Sequence, residues 1–222
     1  MFYERPPKLY RALYPTALWR MPRGEEKTIY LTFDDGPIPE VTPWVLRILR
    51  EKGVKATFFM VGDNVRRHPE VFRQVVEESH AVGNHTFHHI QGLFTSTPKY
   101  LRDVKAADAL ISSPLFRPPH GHMREMQYLF LSRAFRCVMW DVVTRDYNAS
   151  LSPDYVLGVV KRLARDGSII VFHDSLKAWK NMCYAMPLAI DWLLAEGYTF
   201  KTIPEGLGMA ASSNPDHSDI AV

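Results

Sequence analysis

The sequence predicts a single α/β domain with a parallel sheet, either a βα-repeat barrel or a doubly wound sheet. Three observations predict it. Short apolar segments alternate with helix-periodic segments along the chain. Several of the apolar segments, such as Ile169-Ile170-Val171-Phe172, are apolar on both faces, as parallel strands covered by helices must be. The 222 residues, 46% hydrophobic and 12% aromatic, suffice for one sizeable core, and no internal repeat or linker divides them.

Seven strands are expected, over residues 27–33, 56–61, 81–84, 115–117, 137–142, 168–172 and 198–203, with helices near 42–52, 68–79, 97–112, 123–135, 153–166 and 182–196. Local signals place the boundaries. Thr97-Pro98 and Ser152-Pro153 set a capping residue before a proline, while Gly53, Gly167 and Gly197 follow the ends of apolar-periodic stretches. Residues 1–26 read as an arm packed across the domain. The polar, aperiodic stretch 209–222 reads as a flexible tail.

Composition excludes several classes. The net charge is +3 with Lys and Arg dispersed, which gives no basic patch for nucleic acid. Cys137 and Cys183 cannot scaffold a chain this long, and both sit in apolar runs expected to bury them. No run approaches the roughly 20 apolar residues of a membrane span. The N-terminal stretch has charges and prolines where a signal peptide has an apolar core, so a cytoplasmic location is expected. Tyr10, Leu13, Tyr14, Leu18 and Trp19 with Lys8, Arg11 and Arg20 offer an aromatic, basic strip for a membrane surface or lipid-linked substrate. Packing of the arm on the domain is the expected alternative.

In a parallel βα architecture, groups at the carboxyl ends of strands converge on one face, which holds the site. Asp34 and Asp35 follow the first expected strand, His85 and His89 the third, Arg117 the fourth, Asp141 and Asp146 the fifth, and His173 the sixth. His85 and His89 are four apart, which on a helical turn puts both imidazoles on one side, the spacing used to bind one metal ion. Two neutral imidazoles need a third ligand, and an acid from another strand end completes a site with open positions for water. Asp35 is expected to be that ligand. Its neighbour then has a separate task, because successive side chains on a strand point to opposite sides. Asp34 is left free to take a proton from a water whose pKa such an ion lowers from about 15.7 towards 7. Alone, Asp-Asp-Gly-Pro reads as a turn and HxxxH as surface or core histidines; together they point to chemistry. One Asp and two His suit a divalent metal ion, zinc first, with cobalt, nickel, iron and manganese also compatible.

These residues resemble, motif by motif, the NodB-type polysaccharide deacetylases of carbohydrate esterase family 4. TFDDG (residues 32–36) matches the first motif, with the first Asp as base and the second as metal ligand. HTFHH (85–89) resembles the second, with two metal-binding histidines, and RPPHG (117–121) the third, whose arginine orients the catalytic Asp. WDVVTRDY (140–147) resembles the fourth, whose final Asp, here Asp146, supports the catalytic histidine; VFHD (171–174) resembles the fifth, which supplies that histidine, His173, as general acid. The five matches keep order and spacing over residues 27–203.

The resemblance implies a distorted (β/α) barrel of about seven parallel strands with outer helices and a catalytic domain over 27–208. It also implies metal-dependent removal of an N-acetyl or related acyl group from an amino-sugar-containing polysaccharide or oligosaccharide. Arg117 would keep a permanent positive charge beside Asp34, Asp146 would stabilise the imidazolium of His173, and the His120 backbone N–H would share the oxyanion with the metal. His120, Tyr147 and Val171 are the expected substrate-facing positions. Each departs from the family's usual aromatic, Trp and Leu, and the aromatic, basic N-terminal strip points to a lipid-linked amino sugar or small amide as an alternative substrate. A non-catalytic carbohydrate-binding relative is a further alternative, although a binder has no need of both Asp34 and His173. Loops at 91–95 and 175–181, the latter carrying Lys177, Trp179 and Lys180, are expected at the same face.

Overall fold

The computed structural model describes residues 4–209. In chain order the elements are α1 (Lys8–Ala12), β1 (Thr28–Asp34), α2 (Thr42–Glu51), β2 (Thr57–Met60), α3 (Gly62–Arg67), α4 (Pro69–Glu77), β3 (Ala81–Asn84), α5 (Thr97–Ile111), β4 (Leu115–Phe116), α6 (Glu125–Ala134), β5 (Arg136–Cys137), β6 (Val142–Val143), α7 (Pro153–Leu163), β7 (Ile169–His173), α8 (Trp179–Ala195), β8 (Thr199–Phe200) and α9 (Ile203–Gly206). The strands form one sheet in the order β5-β4-β3-β2-β1-β7-β6, with β8 added beside the start of β1. Every ladder in it is parallel.

The strand expected over 137–142 is in fact two strands on opposite edges of the sheet, β5 against β4 and β6 against β7. Only residues 138–141 separate them, and four residues span at most roughly 14 Å. The two edges therefore lie close together, and the sheet curls into a distorted (β/α) barrel whose last gap is bridged by chain instead of by a ladder. The helices differ from expectation in detail. Ser96, not Thr97, precedes α5 and makes no side-chain cap, whereas Ser152 caps α7 by accepting the Tyr155 N–H at 3.1 Å. Helix α8 starts at Trp179, earlier than expected, because Trp179 packs edge-on against Trp44 with ring centroids 5.0 Å apart. Cys137 is buried as expected, but Cys183 on α8 is only half-buried.

Strand parity decides what faces the lumen. Ile29, Leu31 and Phe33 of β1 join a cluster with Leu46, Leu49, Val159, Met186 and Ile190 from the surrounding helices. The alternate residues turn inward. Tyr30 packs with Phe59, Leu115, Val138 and Ile169 at the bottom of the lumen, Thr32 and Arg117 meet above them, and Asp34 closes the series at the strand's carboxyl end.

The arm fills the gap in the barrel. The Leu18 N–H donates to Cys137 O and the Met139 N–H to Leu18 O, both at 2.8 Å, and the Met21 N–H donates to Gly167 O at 2.9 Å. Gly167 has φ +76, and a Cβ there would lie 2.3 Å from Met21 O, so only glycine lets the arm approach so closely. Tyr14, Leu18 and Trp19 are buried and Arg11 faces Asp141, which leaves only Lys8 and Leu13 of the expected membrane strip exposed. That strip is part of the packed domain. Among the described residues no helix is long and apolar enough to cross a membrane. Of the expected tail, only Met209 lies within the described residues.

Asp141 departs furthest from its expected place. It immediately precedes β6 rather than ending a fifth strand, so it lies at the opposite end of the barrel from the strand ends that carry the site. There it is wholly buried and receives Arg11 at 3.0 Å, Arg165 at 2.9 and 2.7 Å, Ser168 Oγ at 2.8 Å and Arg5 at 3.5 Å. Removing one partner of a buried ion pair costs roughly 3–5 kcal/mol, and the partly exposed arginines reduce this to about 2 kcal/mol. Asp141→Ala is expected to lower the Tm by about 6 °C. A calorimetric melt at the wild-type temperature would show that the arm is held without this acid.

Candidate active site and metal centre

The carboxyl ends of β1, β3, β4 and β7 open into one cleft of about 680 Å³, lined by Asp34, Asp35, His85, His89, His120 and His173 among others. In the β1–β7 ladder Asp34 pairs with His173, so the two stand side by side on neighbouring strands.

Asp35 lies just past β1 with φ +85, a conformation costly for a residue with a side chain, and this turn aims its carboxylate across the cleft mouth. Its Oδ1 lies 3.1 Å from His89 Nε2 and 3.9 Å from His85 Nε2. One ligand atom from each of the three residues lies within 4.8 Å of the others. The His85 Nδ1–H donates to Arg117 O at 2.7 Å, which fixes the tautomer and leaves Nε2 as a lone-pair donor facing Asp35. Burial pulls His85 down to about 4, against the opposing charge of Asp34, so the ring is neutral as a ligand must be. Burial raises Asp35, but its His89 hydrogen bond and the His173, His89 and His85 charges outweigh this and hold it well below the carboxylate range. Two imidazole nitrogens and one carboxylate oxygen, convergent and open to the cleft on one side, fit a divalent cation.

The expected helical turn at the histidines is absent. Residues 85–89 form an irregular loop, with Thr86 at φ +63 and His89 at φ +54. Side chains replace helical backbone partners: Asn84 Oδ1 accepts the Thr86 N–H at 2.9 Å, and Asp103 Oδ1 accepts the Phe87 and His88 N–H groups at 2.7 and 3.0 Å.

Two further pairs flank the trio. Arg117 Nη1 reaches Asp34 Oδ1 at 2.6 Å and Thr32 Oγ1 at 2.9 Å. Its remaining groups donate to Val138 O at 3.2 Å and Met139 O at 2.9 Å, and its guanidinium lies 4.0 Å over the Phe59 ring. Opposite, His173 Nδ1 pairs with Asp146 Oδ1 at 2.7 Å, and the His173 backbone N–H donates to Asp146 Oδ2 at 2.7 Å. Burial lowers His173, but the Asp146 charge and hydrogen bond win and raise it to about 9, so its Nε2–H faces the cleft protonated at neutral pH.

His120, Tyr147 and Val171 all line the cleft. The His120 ring stands edge-on to His89 at 4.8 Å, and the Tyr147 ring edge-on to His173 at 4.9 Å. His120 has φ +59, and among the described residues no carbonyl accepts its backbone N–H. Lys177 lines the cleft and lies 5.6 Å from the Tyr147 ring; Trp179, Lys180 and residues 91–95 do not line it. Sequence reasoning missed four residues. Trp140 lines the cleft, Asn64 donates to Asp35 O at 2.8 Å, Asp103 holds the histidine loop, and Asp174 is buried beneath Gly36. Burial, helped by the Asp35 charge, pushes Asp174 up to about 8. Asp174 stood in the quoted VFHD, but an acid beside a histidine carries no signal of what it reaches in space.

A family model described as polysaccharide deacetylase matches residues 22–129. The chain is 34% identical over 207 residues to a peptidoglycan-N-acetylglucosamine deacetylase of Bacillus cereus, covering 89% of this chain and 96% of that relative. It is 32% identical over 200 residues to a chitooligosaccharide deacetylase of Rhizobium leguminosarum bv. trifolii, covering 82% and 93%. A crystal structure of the Bc1960 peptidoglycan N-acetylglucosamine deacetylase, in complex with 4-naphthalen-1-yl-N-oxidanyl-benzamide, superposes with a TM-score of 0.79 at 28% identity, over 88% of this chain and 94% of that one. The chain belongs to the polysaccharide deacetylase family, metal-dependent hydrolases that act on N-acetylated carbohydrates.

Asp146 holds the proton on His173 against burial, so Asp146→Asn removes the largest of the influences that raise this imidazole and leaves only the Asp35 and Asp34 charges. The basic limb of the kcat/KM–pH profile, set near pH 9 in the wild type, is expected to move more than one unit towards acid. An unmoved limb would assign it to another group.

Proposed function

We propose that the chain removes the N-acetyl group from an amino sugar within a polysaccharide or oligosaccharide, with peptidoglycan and chitooligosaccharides as the substrate classes suggested by its relatives. The observation that carries this reading is the flanking of one three-ligand set by a base and an acid in the same cleft, Asp34 held by Arg117 and His173 held by Asp146.

Asp35, His85 and His89 would hold the cation, and their N₂O donor set favours zinc. Once bound, the cation supplies Lewis acidity that acidifies a water and polarises the amide carbonyl. Asp34 takes the proton from that water as its oxygen bonds to the carbonyl carbon; Arg117 keeps the carboxylate aimed. The His120 N–H donates to the oxygen of the tetrahedral carbon as negative charge builds on it. His173 then gives its Nε2 proton to the nitrogen as the C–N bond breaks, leaving acetate and a free amine. Tyr147 offers an aromatic wall to the sugar, and Val171, smaller than the family's usual leucine, shapes the acyl end of the cleft. Both the base and the acid are in place, which favours an enzyme over a binding relative.

Asp34→Asn is expected to cut acetate release from acetylated chitin oligomers and peptidoglycan fragments by at least about 100-fold while elemental analysis still finds one metal per chain. Loss of metal in that variant would make Asp34 a ligand and not a base. A wild type that releases no acetate from either substrate would overturn the reading.

A further inference from the structure

Asp174 has no part in the chemistry just described, yet it is wholly buried behind the turn that carries both working aspartates. Its own N–H donates to Asp34 O at 3.1 Å, which seats it at the end of β7 against the end of β1. Its carboxyl group divides between two donors. Oδ1 accepts the Gly36 N–H at 3.1 Å, and Oδ2 accepts the Thr42 Oγ1–H at 2.6 Å. The same Thr42 Oγ1 accepts the Ile38 N–H at 2.8 Å. One carboxyl group therefore ties together both ends of the Gly36-Pro37-Ile38 segment and the first residue of α2.

The Gly36 N–H belongs to the peptide that follows Asp35, the residue at φ +85. The other side of that peptide, Asp35 O, accepts from Asn64 Nδ2 at 2.8 Å, and Gly36 O accepts from the Val61 N–H at 2.9 Å. The strained conformation of Asp35 is thus fixed through its neighbours, and Asp174 supplies the anchor on the N–H side. The fit leaves no slack: a Cβ on Gly36 would lie 2.1 Å from Asp174 Oδ2. A turn that needed glycine only for its own shape would not place a carboxyl group there.

We infer that Asp174 is a positioning residue, a buried carboxyl group that clamps the Asp35–Gly36 peptide and so aims Asp35 at the two imidazoles. This inference rests on the metal reading of Asp35, His85 and His89 given above. Outer partners that orient metal ligands are worth roughly 10–100-fold in metal affinity. Asp174→Asn keeps an oxygen for Gly36 but turns an NH₂ towards Thr42 Oγ1, which already receives the Ile38 N–H. Asp174→Ala removes both contacts.

The test is zinc affinity of the purified full chain, measured by competition with a chromophoric chelator, with circular dichroism confirming the fold of each variant. Asp174→Ala is expected to raise the zinc dissociation constant about 10–100-fold, and the near-isosteric Asp174→Asn, which serves if the alanine variant does not fold, by at least about threefold. The double variant Gly36→Ala with Asp174→Ala puts a methyl where the carboxyl group stood and is expected to stay as weak as Asp174→Ala. Wild-type affinity in the single variants, or its return in the double variant, overturns the inference and makes Asp174 a space filler. A wild type that binds no zinc, cobalt, nickel, iron or manganese overturns the metal reading and this inference with it.

Discussion

A guanidinium sealed inside a barrel must find an acceptor at each of its three nitrogens or cost several kcal/mol. Arg117 is the largest fully buried side chain of the described residues, and it meets this demand with Asp34, Thr32 and two carbonyls from the 138–139 segment. The architecture follows from that need. The sheet curls so that residues 138–141, which cross its gap, present Val138 O and Met139 O to the lumen. The arm that pairs with Cys137 and Met139 keeps that segment in place. The charge that Arg117 places beneath Asp34 is thus built into the core.

Above this centre the site divides into two halves with opposite protonation. His85 is kept neutral by burial, with its Nδ1–H donation to Arg117 O fixing the tautomer, whereas His173 is kept charged by Asp146. Both are imidazoles at strand ends and only their partners differ: a carbonyl makes one a ligand, a carboxylate makes the other an acid. Strand parity separates the two aspartates in the same way. Asp34 is the last inward residue of β1, and Asp35 is released from the pleat by its left-handed backbone to face the histidines.

The fold was legible because buried parallel strands leave continuous apolar runs, and β1, β2, β3 and β7 fall within about two residues of where those runs place them. The stretch 137–142 misled because an unbroken apolar run does not record that its two halves pair with different strands. Asp141 was misplaced with it. The candidate site was legible where a role needs a fixed residue type at a fixed strand end, as at Asp34, Asp35, His85, His89 and His173. It was illegible where the role is contact at long range. Asp103 reaches the histidine loop 15 residues back, and Asp174 reaches Gly36 across 138 residues. The reason His85 and His89 converge was also hidden, since the four-residue spacing suggests a helix and two left-handed residues do the work instead.

The account stands on a cation held by Asp35 and two histidines with Asp34 left unliganded. X-ray absorption at the zinc edge of the loaded protein tests this most directly. The account predicts two imidazole nitrogens and one carboxylate oxygen at about 2.0–2.2 Å, with a spectrum unchanged in Asp34→Asn and altered in Asp35→Asn. A shell with fewer than two imidazoles, or one that changes when Asp34 is replaced, would contradict it.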